Sequence, residues 1–264
     1  MNDKSRFAVS CHQCSLSALC IPHSLTSEEM DTVDAEIKRA KPLKKNSQIF
    51  GTGEKFKSLY AVRSGAFKAY SIDESGEEHI VGFFLPGEII GLDAIDTETH
   101  PTTAKALEES TLCEIPFDQV ERLSAKIHNL QMHMYRLLSR EIRGDQELQM
   151  LLGKKTAEER IGTFLLNLSN RCKQRKLSAS LFRLPMARTD IANYLGLAVE
   201  TVSRVFTRLQ SQNILSVDGK EVEILDHHQL CVVAHNDFIN ESLSSMGSKV
   251  ALYEAVRSRL VSKQ

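Results

Sequence analysis

Seven of the thirteen glycines fall between Gly51 and Gly91, and they cut that stretch into short runs such as LYAVRSG, AFKAYSI and HIVGFFL. Gly65, Gly76 and Gly87 stand eleven residues apart. Turn residues at that interval, between runs rich in Ile, Val, Phe and Tyr, predict an antiparallel sandwich or roll. Pro116 closes the region, and the next proline is Pro185. The stretch between them is free to be helical, because every residue in it keeps the backbone N–H that a helix needs. At 264 residues the chain exceeds one typical domain of about 100–200, so an α+β chain of at least two modules is expected.

Within the helical stretch, Met134, Leu138, Ile142, Asp145, Leu148 and Leu152 follow one another at steps of three or four. Such a stripe is one helix face in search of a partner. Run from Leu130 to Leu152, it would measure about 33 Å at about 1.5 Å per residue, more than packing on one small roll requires. The reading is a dimerisation helix over 129–153. Asp145 is its odd member, since a carboxylate on the stripe would meet its own copy across a two-fold axis, with Leu138 and Ile142 beside it. Thr156, with Glu159 three positions on, is a capping signal that starts a new helix and marks a domain boundary.

The segment RTDIANYLGLAVETVSRVFTRLQ carries a second signal. Ile191, Tyr194 and Leu195 form a short apolar face, Gly196 permits a tight turn, and Val199, Val202, Val205, Phe206 and Leu209 resume helical spacing. Helix, glycine turn, helix is the helix-turn-helix outline, whose second helix enters the major groove of duplex DNA. Glu200, Ser203 and Arg204 share one face near the start of that helix. A carboxylate can accept from cytosine N4, a guanidinium pairs with guanine O6 and N7, and a hydroxyl suits several base edges. Taken singly, Glu200 could be a dipole-favoured acid and Arg204 a solvated charge; together they favour base reading. Charge agrees: Lys154 to Lys220 holds twelve Lys or Arg against five Asp or Glu, leaving 21 basic and 29 acidic residues elsewhere. A basic module facing a polyanion is joined to an acidic one.

Cys11, Cys14 and Cys20 read C-x2-C-x5-C, while Cys113 lies far off inside STLCEIP, an apolar-flanked run expected to be a strand. Clustered thiols in a reducing compartment bind metal or do redox chemistry more often than they form disulfides. Three grouped thiolates with Cys113 as the fourth could close on one centre. Structural zinc usually shows two C-x2-C pairs and only one exists here, so the layout leans toward iron–sulfur while zinc stays open. Cys172 and Cys231 read as small buried hydrophobes.

No apolar run approaches a membrane span of roughly 18 residues, and MNDKSRFAVSCHQC lacks the basic and apolar regions of a secretory signal, so a cytoplasmic protein that does not engage membranes is expected. No P-loop, G-x-S-x-G or H-E-x-x-H pattern occurs, and an enzyme is not expected.

Together, the cysteine segment, the roll, SREIRGDQELQMLL, KKTAEERIGTFLLNLS and NYLGLAVETVSRVFTR resemble the fumarate and nitrate reduction regulators, the oxygen-sensing FNR branch of the cAMP receptor protein superfamily. The likeness spans roughly residues 11 to 230. It implies a [4Fe-4S] cluster on Cys11, Cys14, Cys20 and Cys113, and base reading by Glu200, Ser203 and Arg204 in the E-x-x-S-R pattern. It also implies a homodimer on TTGAT-type half-sites when oxygen is absent, acting with RNA polymerase as activator or repressor. The expected order is a cysteine-rich segment at 1–24, a β-roll sensor at 25–128, the dimerisation helix, a winged helix-turn-helix domain at 154–226 and a tail at 227–264 of unknown role.

Two features depart from that pattern. Ala198 stands where a hydroxyl residue usually caps the reading helix, and the tail contains ALYEAVRSRL, which could form an extra helix. A cyclic-nucleotide receptor is the rival, since PGEIIG resembles part of the nucleotide pocket motif. No Arg occurs between Asp93 and Thr103 to meet a buried phosphate, and Val199 replaces a base-reading Arg of those cousins. A zinc-stabilised relative is the other alternative.

Overall fold

The computed structural model describes residues 9–39 and 41–235. The expected helix at ALYEAVRSRL and the first eight residues lie outside the described residues.

The cysteine segment opens with a single 3-10 turn at Cys11–Gln13 and leads into α1 (Ser27–Glu36), which Thr26 and Glu29 close with a reciprocal capping box. Eight strands follow: β1 (Lys38–Arg39), β2 (Gln48–Phe50), β3 (Ser58–Ser64), β4 (Phe67–Ile72), β5 (Glu78–Phe84), β6 (Ile89–Ile90), β7 (Thr103–Ala106) and β8 (Thr111–Pro116). They form two antiparallel sheets, ordered β1-β8-β3-β6 and β2-β7-β4-β5. Phe50, Val62, Phe67, Ile90, Ala104, Ala106 and Leu112 cluster in the interior of this roll. The evenly spaced Gly65, Gly76 and Gly87 have φ values of 77°, 85° and 92°. All three turns use the left-handed region that glycine enters without a Cβ penalty, which is why the eleven-residue spacing predicts the roll.

Helix α2 (Phe117–Ser124) leads into α3 (His128–Lys154), whose 27 residues span about 40 Å. The stripe read from the sequence is not one continuous outer seam. Met134 is buried in a second cluster that joins α1, the roll and α3, with Leu138 against it, and Leu148 packs toward the C-terminal module. Ile142 and Asp145, between them, are exposed. A helix this long passes several layers, so one periodic face is divided among several neighbours.

Helix α4 (Ala157–Gln174) begins at Thr156, whose hydroxyl accepts from the Glu159 N–H while the Glu159 carboxylate accepts from the Thr156 N–H. Then come β9 (Leu181–Arg183), α5 (Arg188–Leu195), α6 (Val199–Ser211), β10 (Leu215–Asp218), β11 (Glu221–Ile224) and α7 (His227–Val233). The last three strands make a small antiparallel wing in the order β10-β11-β9. Helix α7 falls in the stretch to which the sequence assigns no role. It buries Leu230, and Ala234 just after it sits against Gly162 of α4, where an added Cβ would come within 3.3 Å.

The C-terminal module docks on the roll along β5. Phe83 meets Phe164 and Tyr194 at ring-centroid distances of 6.2 and 5.1 Å, and the Ile80 N–H donates to Asn193 Oδ1 at 2.7 Å. One apolar cluster runs across the seam from Tyr70, Ile80 and Phe83 to Phe164 and Leu165.

Candidate DNA-reading and thiol sites

Helices α5 and α6 are joined by Gly196, at φ 60°, Leu197 and Ala198. Val202, Val205, Phe206 and Leu209 bury one side of α6, which turns Glu200, Ser203 and Arg204 outward, all exposed. Arg188 of α5 stacks its guanidinium 3.5 Å from the Phe206 ring centroid and locks the two helices together. Ser203 Oγ donates to the Val199 carbonyl at 3.0 Å, and Arg204 Nη2 donates to Thr201 Oγ1 at 3.2 Å. Arg204 therefore also lines a cleft between α6 and the start of α4, where Arg208 pairs with Glu158. Ala198 supplies no side-chain cap.

The four thiols named from the sequence lie in the N-terminal part of the fold, on the segment before α1 and on β8. Cys11 is buried in the cluster that joins α1, the roll and α3, and Cys20 and Cys113 pack against that same cluster. Cys113 lies on β8, opposite Ala61 of β3 and Arg39 of β1. All six cysteines are free thiols. Burial pushes the Cys11 thiol far above its ordinary pKa, and a hydrogen bond to Asp34 pushes the same way. Burial lifts Cys20 to about 12, with Cys113 and Cys14 adding repulsion. Cys113 is also raised by burial, against the opposing pull of Arg39 and Arg63. Cys20 is thus within electrostatic reach of the other three, and Cys11, Cys20 and Cys113 each resist ionising alone. Four soft thiolate donors fit a cationic metal centre by their chemistry, since a bound cation reverses that resistance. Their geometry is not closed: among the described residues no three His, Cys, Asp or Glu side chains stand as a metal-ligating group. Cys172 and Cys231 pack against the C-terminal core.

The residue descriptions of two known families match the chain: the cyclic nucleotide-binding domain over residues 40–126 and the Crp-like helix-turn-helix domain over residues 159–233. The chain is 55% identical over 224 residues to the transcriptional activator protein anr of Pseudomonas aeruginosa, covering 85% of this chain and 92% of that protein. It is 50% identical to the fumarate and nitrate reduction regulatory protein of Yersinia pestis, covering 87% and 92%. The chain belongs to the FNR branch of the CRP/FNR transcription regulators. Among solved structures it is similar to FixK2 of Bradyrhizobium japonicum, at TM-score 0.69 and 29% identity, covering 75% of this chain and 96% of that one. As an FNR-branch regulator it is a DNA-binding transcription factor and not an enzyme. No helix among the described residues is long and apolar enough to cross a membrane.

Three features of this regulator escape sequence reasoning. Asp34 accepts from the Cys11 N–H at 2.8 Å and pairs with Arg39, whose Nε donates to the Val9 carbonyl at 3.0 Å. These two residues pin the start of the cysteine segment to α1 and β1. His133 of α3, buried and with its pKa lowered by burial to about 4, packs its ring 5.4 Å from that of His23, three residues after Cys20. The third is Glu88, in the PGEIIG motif: its carboxylate accepts from Arg171 of α4 and from Arg175, which caps that helix, and the Phe83 and Pro86 carbonyls accept from the same two guanidiniums. Burial alone would raise the Glu88 pKa, but Arg171 and Arg175 outweigh it and hold the carboxyl below its usual range. The glutamate of the nucleotide-pocket motif is thus engaged by the DNA-binding module. His100, stacked 3.5 Å from Phe50, fills space inside the roll.

Proposed function

We propose that this regulator responds to oxygen through a [4Fe-4S] cluster held by Cys11, Cys14, Cys20 and Cys113. With the cluster intact it binds palindromic TTGAT-type sites as a homodimer in the cytoplasm and controls genes of anaerobic metabolism with RNA polymerase. The observation that carries this reading is that Cys11, Cys20 and Cys113 share one apolar cluster beside α3, with Cys14 within electrostatic reach of Cys20 and Cys113. When bound, an iron–sulfur centre supplies oxygen-labile thiolate ligation. The chain's own part is to hold the segment against α1 through Asp34 and Arg39, and against α3 through His23 and His133. Absorbance, iron and acid-labile sulfide of anaerobically purified protein test it. A brown, oxygen-labile protein is expected; Ser at any of the four positions removes the iron, and Cys172→Ser or Cys231→Ser leaves it. Equal iron in Cys113→Ser, or colourless zinc protein, overturns the assignment.

Glu200, Ser203 and Arg204 are the proposed base readers, supported by their exposure on one face of a helix whose other side is buried. Truncating Glu200 or Arg204 should cost about 1–3 kcal/mol at one base pair and relax the preference there. A uniform loss across a half-site library for Arg204→Ala would assign it to phosphate instead. Asp145, with Ile142 and Leu138 on the same stripe, is the proposed dimer switch: paired carboxylates at the two-fold axis oppose an association that the apolar residues favour.

A further inference from the structure

The seam between the roll and the DNA-binding module holds a cavity of about 240 Å³, lined among others by Lys45, Lys68, Lys105 and Lys220, with Asp190 as the carboxylate. Four lysines and one acid thus line the same cavity, and that acid is already in use. Asp190 Oδ1 accepts from Lys68 Nζ at 2.9 Å, and Oδ2 accepts from the Ala187 N–H at 3.0 Å. Lys68 is further matched by Glu78 at 3.0 Å. The remaining lysines are not so matched. Lys220 Nζ donates to the Pro185 carbonyl at 2.9 Å, and Lys105 Nζ stands 5.3 Å from the Tyr70 ring centroid. Neither Lys45 nor Lys105 pairs with a carboxylate among the described residues.

Like charges gathered in a half-enclosed space repel more strongly than on an open surface, because less water screens them. A multivalent anion relieves that repulsion. Lysine donates from a compact charge on a flexible stem, so several lysines arriving from different elements match the dispersed oxygens of linked phosphates better than one planar carboxylate. Lys45 and Lys105 come from the roll, and Lys220 comes from the turn between β10 and β11 of the wing. An anion touching all three spans the two modules.

We propose that this cavity binds a small oligophosphate and, by bridging roll to wing, fixes the DNA-binding module in its docked position. The site is separate from the thiols and from the outward face of α6, so it stands whatever metal the cysteines hold. Calorimetric titration of the full chain with tripolyphosphate at low ionic strength, alongside thermal melts, tests it. One anion per chain and a raised Tm are expected. Lys45→Gln with Lys105→Gln should weaken binding at least tenfold, Lys45→Arg with Lys105→Arg should retain it, and Lys126→Gln with Lys154→Gln, away from the cavity, should not change it. No saturable binding, or equal affinity in the wild type and the Gln pair, overturns the proposal. So does a Gln pair that keeps tripolyphosphate affinity yet loses DNA affinity with a shallower salt dependence, for the lysines would then serve the phosphates of bound DNA.

Discussion

The two halves of α3 share one helix and one spacing of apolar residues, yet they meet different surroundings. In the first half Leu130, Met134 and Leu137 are at most 7% exposed, covered by α2 and the roll. In the second, Ile142 and Met150 are 60% and 68% exposed, until Leu151 turns into the C-terminal core. Helical periodicity reports that a face needs cover, not what supplies the cover. The first half is covered from within the chain. The second carries the apolar exposure that marks an association surface.

This division predicts different thermodynamics for substitutions only a few turns apart. Leu130→Ala should destabilise the folded chain by about 2–5 kcal/mol, the cost of a core cavity. Denaturant titrations at several protein concentrations should give the same loss; a concentration-dependent loss would show that the first half also belongs to the interface. Asp145→Ala should instead leave the stability of the lone chain unchanged and favour association, because removing two like charges at an effective dielectric of about 20 is worth on the order of a few kcal/mol before screening. Sedimentation of metal-free wild-type and variant protein at matched concentration decides it, and identical monomer fractions remove Asp145 from the switch. In the same assay Ile142→Ala should shift the balance the other way by less, since only part of one exposed side chain is lost.

What was legible in the sequence follows from the range of the interactions. The roll, the start of α4 at Thr156 and the helix-turn-helix at Gly196 depend on neighbours within a few residues, and spacing alone reveals them. The placement of Cys113 on a strand was legible for the same reason. The tethers around the thiols were not. Asp34 and Arg39 are ordinary charges in the chain and become meaningful only once α1 and β1 bring them to Cys11 and Val9. Arg171 and Arg175 likewise read as solvated charges on a basic helix, and their pairing with Glu88 spans more than eighty residues. The lysine cavity was hidden too, because its walls come from the roll, α5 and the wing and no local pattern unites them.

Gly87 and Glu88 are consecutive residues with opposite attachments. A Cβ on Gly87 would lie 2.9 Å from the Leu19 Cβ, so the stretch between Cys14 and Cys20 rests on bare backbone there. The Glu88 carboxylate grips Arg171 of α4 and Arg175 at the end of that helix. The thiol segment and the DNA-binding module therefore bear on the same link of the main chain from its two sides, like two beams set on one pier. The glycine has no side chain to yield, and the arginines are held at carbonyls as well as at the carboxylate. A displacement of Leu16 or Leu19 would therefore bear on the main chain one residue from the Glu88 anchor of the DNA-binding module, within one protomer.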